Sequence, residues 1–303
     1  IVLIMVTMEN TVAIKSSPGR DVSLNTPAGV LRGLAWPNPG APRVLALHGW
    51  LDNAASFIPL APYLADFDLV ALDLPGHGYS DHIAAGHAYH LSHYAAEVLQ
   101  VLDALQWRAC CLLGHSLGGA VGTLVTATAP QRIFALSLID QIGPLSEPAA
   151  DFPNRLKRSI EAHAMSRDHK KAQYPTLDEL VERRRLVGGI DDEGAQLLVT
   201  RNAQRDANGY HWRSDPRLRL PAPLYLDEGQ AQAILTAIQC PVHMILASDG
   251  LVVARPNTER RIEIMTNLVV EKMTGGHHLH MDNPGPVADV IVSFLQSHIP
   301  AGD

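Results

Sequence analysis

The sequence predicts a doubly wound α/β domain: a mostly parallel sheet with helices on both faces, interrupted late in the chain by a helical insertion. Three observations carry that expectation. Short apolar runs at 43–47, 68–72, 109–113 and 135–139 alternate with helical stretches, the pattern of strands buried on both faces of a parallel sheet. A Gly-x-Ser-x-Gly pentapeptide, Gly114 to Gly118, stands between one of these runs and the helical continuation Ala120-Val121-Gly122-Thr123-Leu124-Val125. After Asp140 the strand-like runs stop, and they resume only at 242–247 and 268–273.

Taken in order, 21–35 reads as two short strands joined at Thr26-Pro27-Ala28-Gly29, and Pro37, Pro39 and Pro42 mark a surface loop. The first buried run, 43–47, ends at His48-Gly49-Trp50. A helical segment at 53–64 is interrupted near Pro59 and Pro62. The run 68–72 closes on Asp73-Leu74-Pro75-Gly76-His77-Gly78-Tyr79-Ser80. Over 91–105, Leu91, Ala95, Val98, Leu99, Leu102 and Leu105 recur at helical spacing. From 141 to 238 charged helical stretches, such as Asp178 to Arg185, are divided by prolines, and this segment reads as a lid folded over the sheet. The core is therefore expected at 1–140 and 239–303, with a closing helix over 286–298.

Composition narrows the function. Of 303 residues 47% are apolar, which supports a sizeable core, and the formal net charge of −7 without dense basic runs argues against a nucleic-acid partner. The three cysteines, two of them adjacent (Cys110 and Cys111), form neither a disulfide framework nor a zinc site, so a reducing, cytoplasmic setting is expected. No apolar run approaches the ~20 residues that span a bilayer. The apolar octet 1–8 is short and lacks a basic lead-in, which makes it a poor signal peptide. The composition specifies no oligomeric state.

Gly-x-Ser-x-Gly between a strand and a helix is the nucleophile elbow. Ser116 must occupy a turn so sharp that its hydroxyl projects above the sheet, and Gly114 and Gly118 must lack side chains for that turn to close. The helix that follows aims N–H groups at the site, which favours developing negative charge.

His48-Gly49-Trp50, Asp73 to Ser80, Gly114 to Gly119 and Gly276-His277-His278-Leu279-His280-Met281-Asp282-Asn283-Pro284 occur in the order seen in enzymes of the α/β-hydrolase fold, and the chain resembles that superfamily over nearly its whole length apart from the lid. Within it, His48-Gly49-Trp50-Leu51-Asp52-Asn53, Arg213-Ser214-Asp215-Pro216-Arg217-Leu218 and His277-His278-Leu279-His280 resemble the serine hydrolase-like (kraken-type) group. The resemblance implies an eight-stranded sheet, a helical cap inserted after strand 6, and cofactor-free ester-type hydrolysis of a small-molecule acyl substrate. C–C bond hydrolysis or a cofactor-free perhydrolase would use the same triad, and a ligand receptor on a retained scaffold is the reading from another class. Dehalogenases and epoxide hydrolases need aspartate where Ser116 stands.

Serine needs a base, and the order nucleophile, acid, histidine puts that base late in the chain. His277 stands in the family's position, with His278 and His280 as competitors. For the acid, Asp249 follows the run 242–247 and is favoured over Asp140, which ends the run 135–139; either could instead cap a turn. The amides of Leu117 and Trp50 are expected to hold the oxyanion, while the Trp50 indole either walls the acyl pocket or packs beneath the lid. His48 is expected to order its loop. Zinc at His277, His278 and His280 is disfavoured because alternate loop residues rarely converge, and His82, His87, His90 and His93 read as a solvated helix end. Asp73 to Gly78 lacks the third glycine of a dinucleotide site. Asp215 reads as a turn initiator, and Arg183-Arg184-Arg185 as a solvated helix face.

Overall fold

The computed structural model describes residues 18–166, 172–187 and 189–299. The apolar octet 1–8 lies outside them. Antiparallel strands β1 (Arg20–Thr26) and β2 (Gly29–Trp36) lead into β3 (Arg43–Leu47), β4 (Asp68–Asp73), helix α1 (Leu91–Ala104), β5 (Cys110–His115), α2 (Leu117–Thr128) and β6 (Ile133–Ile139). The segment expected to be helical at 53–64 forms two 3₁₀ turns, Ala54–Phe57 and Ala61–Leu64, because the prolines prevent a continuous helix.

Between β6 and the next core strand lie α3 (Phe152–Met165), α4 (Leu177–Arg185), α5 (Asp192–Asn202), the hairpin β7 (Ala203–Asp206) and β8 (Gly209–Trp212), and α6 (Glu228–Thr236). The expectation that strands vanish from this segment is corrected by that hairpin, which forms its own two-stranded sheet. Helix α6 starts on a capping box made by Asp227 and Gln230, and its Leu235 joins the core cluster that contains Val121 of α2. The chain then returns through β9 (Val242–Asp249), α7 (Thr258–Ile264), β10 (Leu268–Gly276), α8 (Leu279–Asp282) and α9 (Pro284–His298).

The eight core strands run in the order β1-β2-β4-β3-β5-β6-β9-β10, with β1–β2 and β2–β4 antiparallel and the other pairs parallel. Alternation along each strand feeds two separate cores. Leu45, Leu47 and Leu112 pack with Val98, Val101 and Leu102 of α1, whereas Val44, Ala46 and Leu113 pack with Ile291 and Leu295 of α9. From β3 the chain crosses first to β4 on one side and later to β5 on the other. That reversal opens a crevice above the carboxyl ends of β3 and β5, where open α/β sheets bind ligands. Leu47 is registered against Gly114, so the loop that begins at His48 and the turn at Ser116 are side by side.

A buried ion pair ties the inserted segment to the core. Arg201 of α5 reaches Asp73 at the end of β4, Nε to Oδ2 2.9 Å, and its Nη1 meets Asp21 at 2.8 Å. Asp73 is fully buried and also accepts the amides of Ala54 (2.8 Å) and Tyr79 (3.0 Å). Replacing Arg201 by Met leaves that carboxylate without its cation. It is expected to destabilise the protein by about 3–5 kcal/mol, read as a lowered urea midpoint; an unchanged midpoint would contradict the pairing.

Candidate active site

Ser116 has φ +49° and ψ −113°, a left-handed backbone that a non-glycine residue adopts only under constraint. The constraint is visible in its hydrogen bonds. The Ser116 amide donates to Ile139 O (3.3 Å), and its carbonyl accepts from Ala120 N (3.0 Å) and Gln141 Nε2 (3.0 Å). The flanking glycines behave as the turn requires: a Cβ on Gly118 would lie 2.0 Å from the Leu47 carbonyl oxygen, and one on Gly114 2.6 Å from Gly119. Leu117 opens α2, so its N–H is among the first-turn donors that have no acceptor within the helix.

His277 follows β10 directly and is almost wholly buried. Its Nδ1 lies 2.6 Å from Oδ2 of Asp140, which also accepts the Leu251 amide at 2.9 Å. Asp140 is completely buried and, like Ser116, has a left-handed backbone, with φ +42°. The favoured acid, Asp249, is not the carboxylate at this histidine. It ends β9 in register with Gly276, but its side chain is exposed and its Oδ2 takes the Ser248 hydroxyl at 2.9 Å. The physical reason is local. The left-handed turn at Asp140 carries that carboxylate to His277, whereas β9 continues in extended conformation through Asp249 and leaves its side chain on the solvent side.

The loop after β3 is held by His48, as expected. The Leu74 amide donates to His48 Nε2 (3.0 Å), so Nδ1 carries the proton and donates to Gly49 O (2.7 Å). Burial lowers the His48 pKa to about 4. Trp50 is half exposed, and its indole N–H donates to the Leu218 carbonyl at 2.9 Å, a direct tie from this loop to the inserted segment.

Sequence reasoning missed the buried layer behind the histidine. His115 Nε2 donates to the His277 carbonyl at 2.9 Å, and its Nδ1 lies 3.5 Å from Asp52 Oδ2. Asp52 accepts Nη2 of Arg184 at 2.5 Å, and His278 Nε2 stands 3.3 Å from both partners. Burial alone would raise the Asp52 pKa, but the charges of His278 and Arg184 hold it well below the usual carboxylate range. Asp52, His115 and His278 bring three ligand atoms within 4.8 Å of one another, yet the Arg184 guanidinium already answers the Asp52 charge. His278 Nε2 is thereby turned to the Asp52–Arg184 pair, and His280 lies fully buried against His115, ring centroids 4.3 Å apart.

The arginine run 183–185 is not a uniform solvated face. Arg184 is buried on Asp52, Arg185 pairs with Glu182 (3.1 Å) and Asp192 (3.2 Å), and Arg183 is exposed with no partner among the described residues. Helical spacing of about 100° per residue sends the three in different directions. Asp215 does start a turn, accepting the Arg217 amide at 2.9 Å, and it also holds the Arg217 guanidinium, Tyr89 and His82. His90 stands at the N-cap position of α1 without a capping side-chain bond, and His93 faces Glu97 at 3.7 Å. No helix among the described residues is long and apolar enough to cross a membrane.

A family model for the alpha/beta hydrolase fold matches residues 42–284. The chain belongs to that family. It is 33% identical to a serine hydrolase-like protein of Danio rerio over 90% of this chain and 87% of that protein, and 32% identical to serine hydrolase-like protein 2 of Homo sapiens over 93% and 96%. Among solved structures, a hypothetical protein of Pseudomonas aeruginosa PAO1 superposes with a TM-score of 0.87 at 39% identity, covering 91% of this chain and 99% of that one. These likenesses bear out the resemblance read from the four motifs.

The buried histidines make stability depend on pH. Burial lowers His48 and His115 to about 4 and His77 to about 3, against an ordinary 6.5. The unfolded chain therefore binds protons between pH 6.5 and 4 that the folded chain does not, so their contribution is complete above 6.5 and is lost as pH falls towards 4. Each histidine gives a slope of up to about 1.4 kcal/mol per pH unit. The urea midpoint is expected to fall steadily from pH 6.5 to 5, above the carboxylate range, and a flat profile there would contradict the burial.

Proposed function

We propose that this serine hydrolase-like protein hydrolyses a carboxylic ester or related acyl compound through Ser116, His277 and Asp140. The observation that carries the reading is the 2.6 Å contact between His277 Nδ1 and the buried Asp140 carboxylate. With Nδ1–H donating to Asp140, the free lone pair is on Nε2, the tautomer a general base needs. Asp140 holds that tautomer and stabilises the imidazolium once it forms. Asp249, exposed and occupied by Ser248, has no part in this scheme.

Ser116 Oγ attacks the acyl carbon while its proton passes to His277 Nε2. The carbonyl π electrons move onto oxygen, and the oxyanion is held by the amides of Leu117 and Trp50. Collapse re-forms the carbonyl, breaks the bond to the leaving oxygen and returns the proton from Nε2 to that oxygen, releasing an alcohol. Water then attacks the acyl-serine by the same route, with His277 taking its proton, and the carboxylic acid leaves as the serine hydroxyl is restored. The fixed N–H donors and the tethered base supply the acceleration. An aspartate-nucleophile reaction is disfavoured because serine occupies the elbow.

Hydrolysis of p-nitrophenyl esters from acetate to decanoate tests the scheme. Ser116→Ala is expected to abolish turnover, and Asp140→Asn to lower kcat roughly 10³–10⁴-fold by losing the tautomer. Asp249→Asn is expected to stay within about twofold of wild type, as a surface change distant from the chemistry does. Turnover that survives Ser116→Ala, or that collapses in Asp249→Asn and not in Asp140→Asn, would overturn it.

A further inference from the structure

A cavity of about 1180 Å³ lies between the inserted segment and the loop that carries Trp50 and Leu51. Its wall is divided in character. Leu51, Ile160, Ala164, Val187, Trp212 and Leu220 offer apolar surface, enough for a chain of several methylenes. Four arginines also line it, and their charges are answered unequally. Arg184 is neutralised by Asp52 (2.5 Å) and Arg217 by Asp215 (2.6 Å). Arg183 and Arg219 have no hydrogen-bond or carboxylate partner among the described residues. Asp215 is the only carboxylate among the described lining residues, and it is already spent on Arg217, Tyr89 and His82. Among the described residues the cavity therefore has two cationic side chains without a counter-charge beside an apolar wall. Arg219 is exposed in part, and its pKa is lowered by partial burial and by the nearby Arg184 charge, with Tyr174 opposing the shift.

We propose that this cavity binds an acyl substrate whose apolar chain ends in an anionic group, a carboxylate or a phosphate, and that Arg183 and Arg219 receive that group. The proposal rests on the serine-hydrolase reading and adds the substrate class to it. Charge-assisted hydrogen bonds from guanidinium to carboxylate or phosphate are stronger than neutral ones, and the planar fork of arginine suits both anions. The cavity is reached from the elbow's side through Trp50 and Leu51, and Ser116 and His277 are not among its described lining residues, so the arginines would act on binding and not on the reacting carbonyl. They would select the substrate by binding, so their removal raises KM and leaves kcat in place.

Binding by the Ser116→Ala protein tests this without depending on turnover. Titration calorimetry would compare monomethyl adipate, methyl 6-(phosphonooxy)hexanoate and the neutral methyl hexanoate. An anionic probe is expected to bind roughly 10-fold tighter than methyl hexanoate, with the preference weakening as salt is added. Whichever anion binds tighter names the group. In Ser116→Ala, Arg183→Gln, Arg219→Gln that preference is expected to disappear, while Arg185→Gln, whose side chain is paired on the helix exterior, retains it. Circular dichroism confirms that each variant is folded; both replaced arginines are exposed, so the fold does not depend on them. In wild type, the same pair of substitutions is expected to raise KM about 10-fold for mono-p-nitrophenyl adipate and leave p-nitrophenyl hexanoate unchanged. Equal binding of charged and neutral probes, or a charge preference that survives loss of both arginines, would overturn the proposal. Absence of Ser116-dependent turnover with the binding preference intact would overturn the hydrolase reading and leave the anion site standing.

Discussion

The contact between His277 and Asp140 joins parts of the chain that share nothing in sequence, and the rest of the site is built around it. Asp140 leaves β6 in a left-handed conformation, φ +42°, that an aspartate adopts at a cost. Its amide is held by Ile245 O at 2.8 Å, and its carboxylate by the Leu251 amide and His277 Nδ1. Ser116 makes the same kind of turn at the end of β5, and its amide donates to Ile139, the residue just before Asp140. Two strained residues at the ends of neighbouring strands thus fix each other. Parallel pairing of β5, β6 and β9 makes both turns possible, because all three strands end on one edge of the sheet.

Behind this pair lies a buried polar layer that couples the inserted segment to the histidine. Arg184, from α4, meets Asp52; Asp52 lies beside His115; and His115 donates to the carbonyl of His277 itself. A buried arginine–aspartate pair of this kind adds little net stability over well-packed apolar groups, but it fixes geometry, because either partner left alone in the interior is costly. Arg201 with Asp73 repeats the device at the next strand end. The segment is thereby held over the sheet by charge, and the two arginines left over on its inner wall, Arg183 and Arg219, give the cavity beneath it a positive character.

Much of this was legible in the sequence. The apolar runs give the strands, the pentapeptide gives the strained strand-to-helix turn at Ser116, and Gly276-His277 before Asp-Asn-Pro points to the histidine that meets a buried carboxylate. Which carboxylate meets His277 was not legible, and the reason is geometric. Asp140 and Asp249 both end parallel core strands, and spacing along the chain does not say which carboxylate turns towards the histidine. Gly250, the residue after Asp249, makes room for the other carboxylate, since a Cβ there would lie 2.4 Å from Asp140 Oδ1. The arginine run misled for a similar reason, because one buried acid, far away in sequence, withdraws the middle residue from the solvated face. The hairpin β7–β8 did carry a signal, Asn208-Gly209 at its turn, but Gln204, Arg205 and Asp206 lack the alternation that marks a half-buried strand.

Proton NMR of the resting protein tests the central contact most directly. A proton held between imidazole nitrogen and a buried carboxylate gives a far-downfield resonance, and it reports the pair without any substrate. The account predicts that wild type shows this resonance, that Asp140→Asn abolishes or strongly shifts it, and that Asp249→Asn leaves it in place. A resonance that survives in Asp140→Asn and is lost in Asp249→Asn would contradict the assignment of Asp140 as the partner of His277.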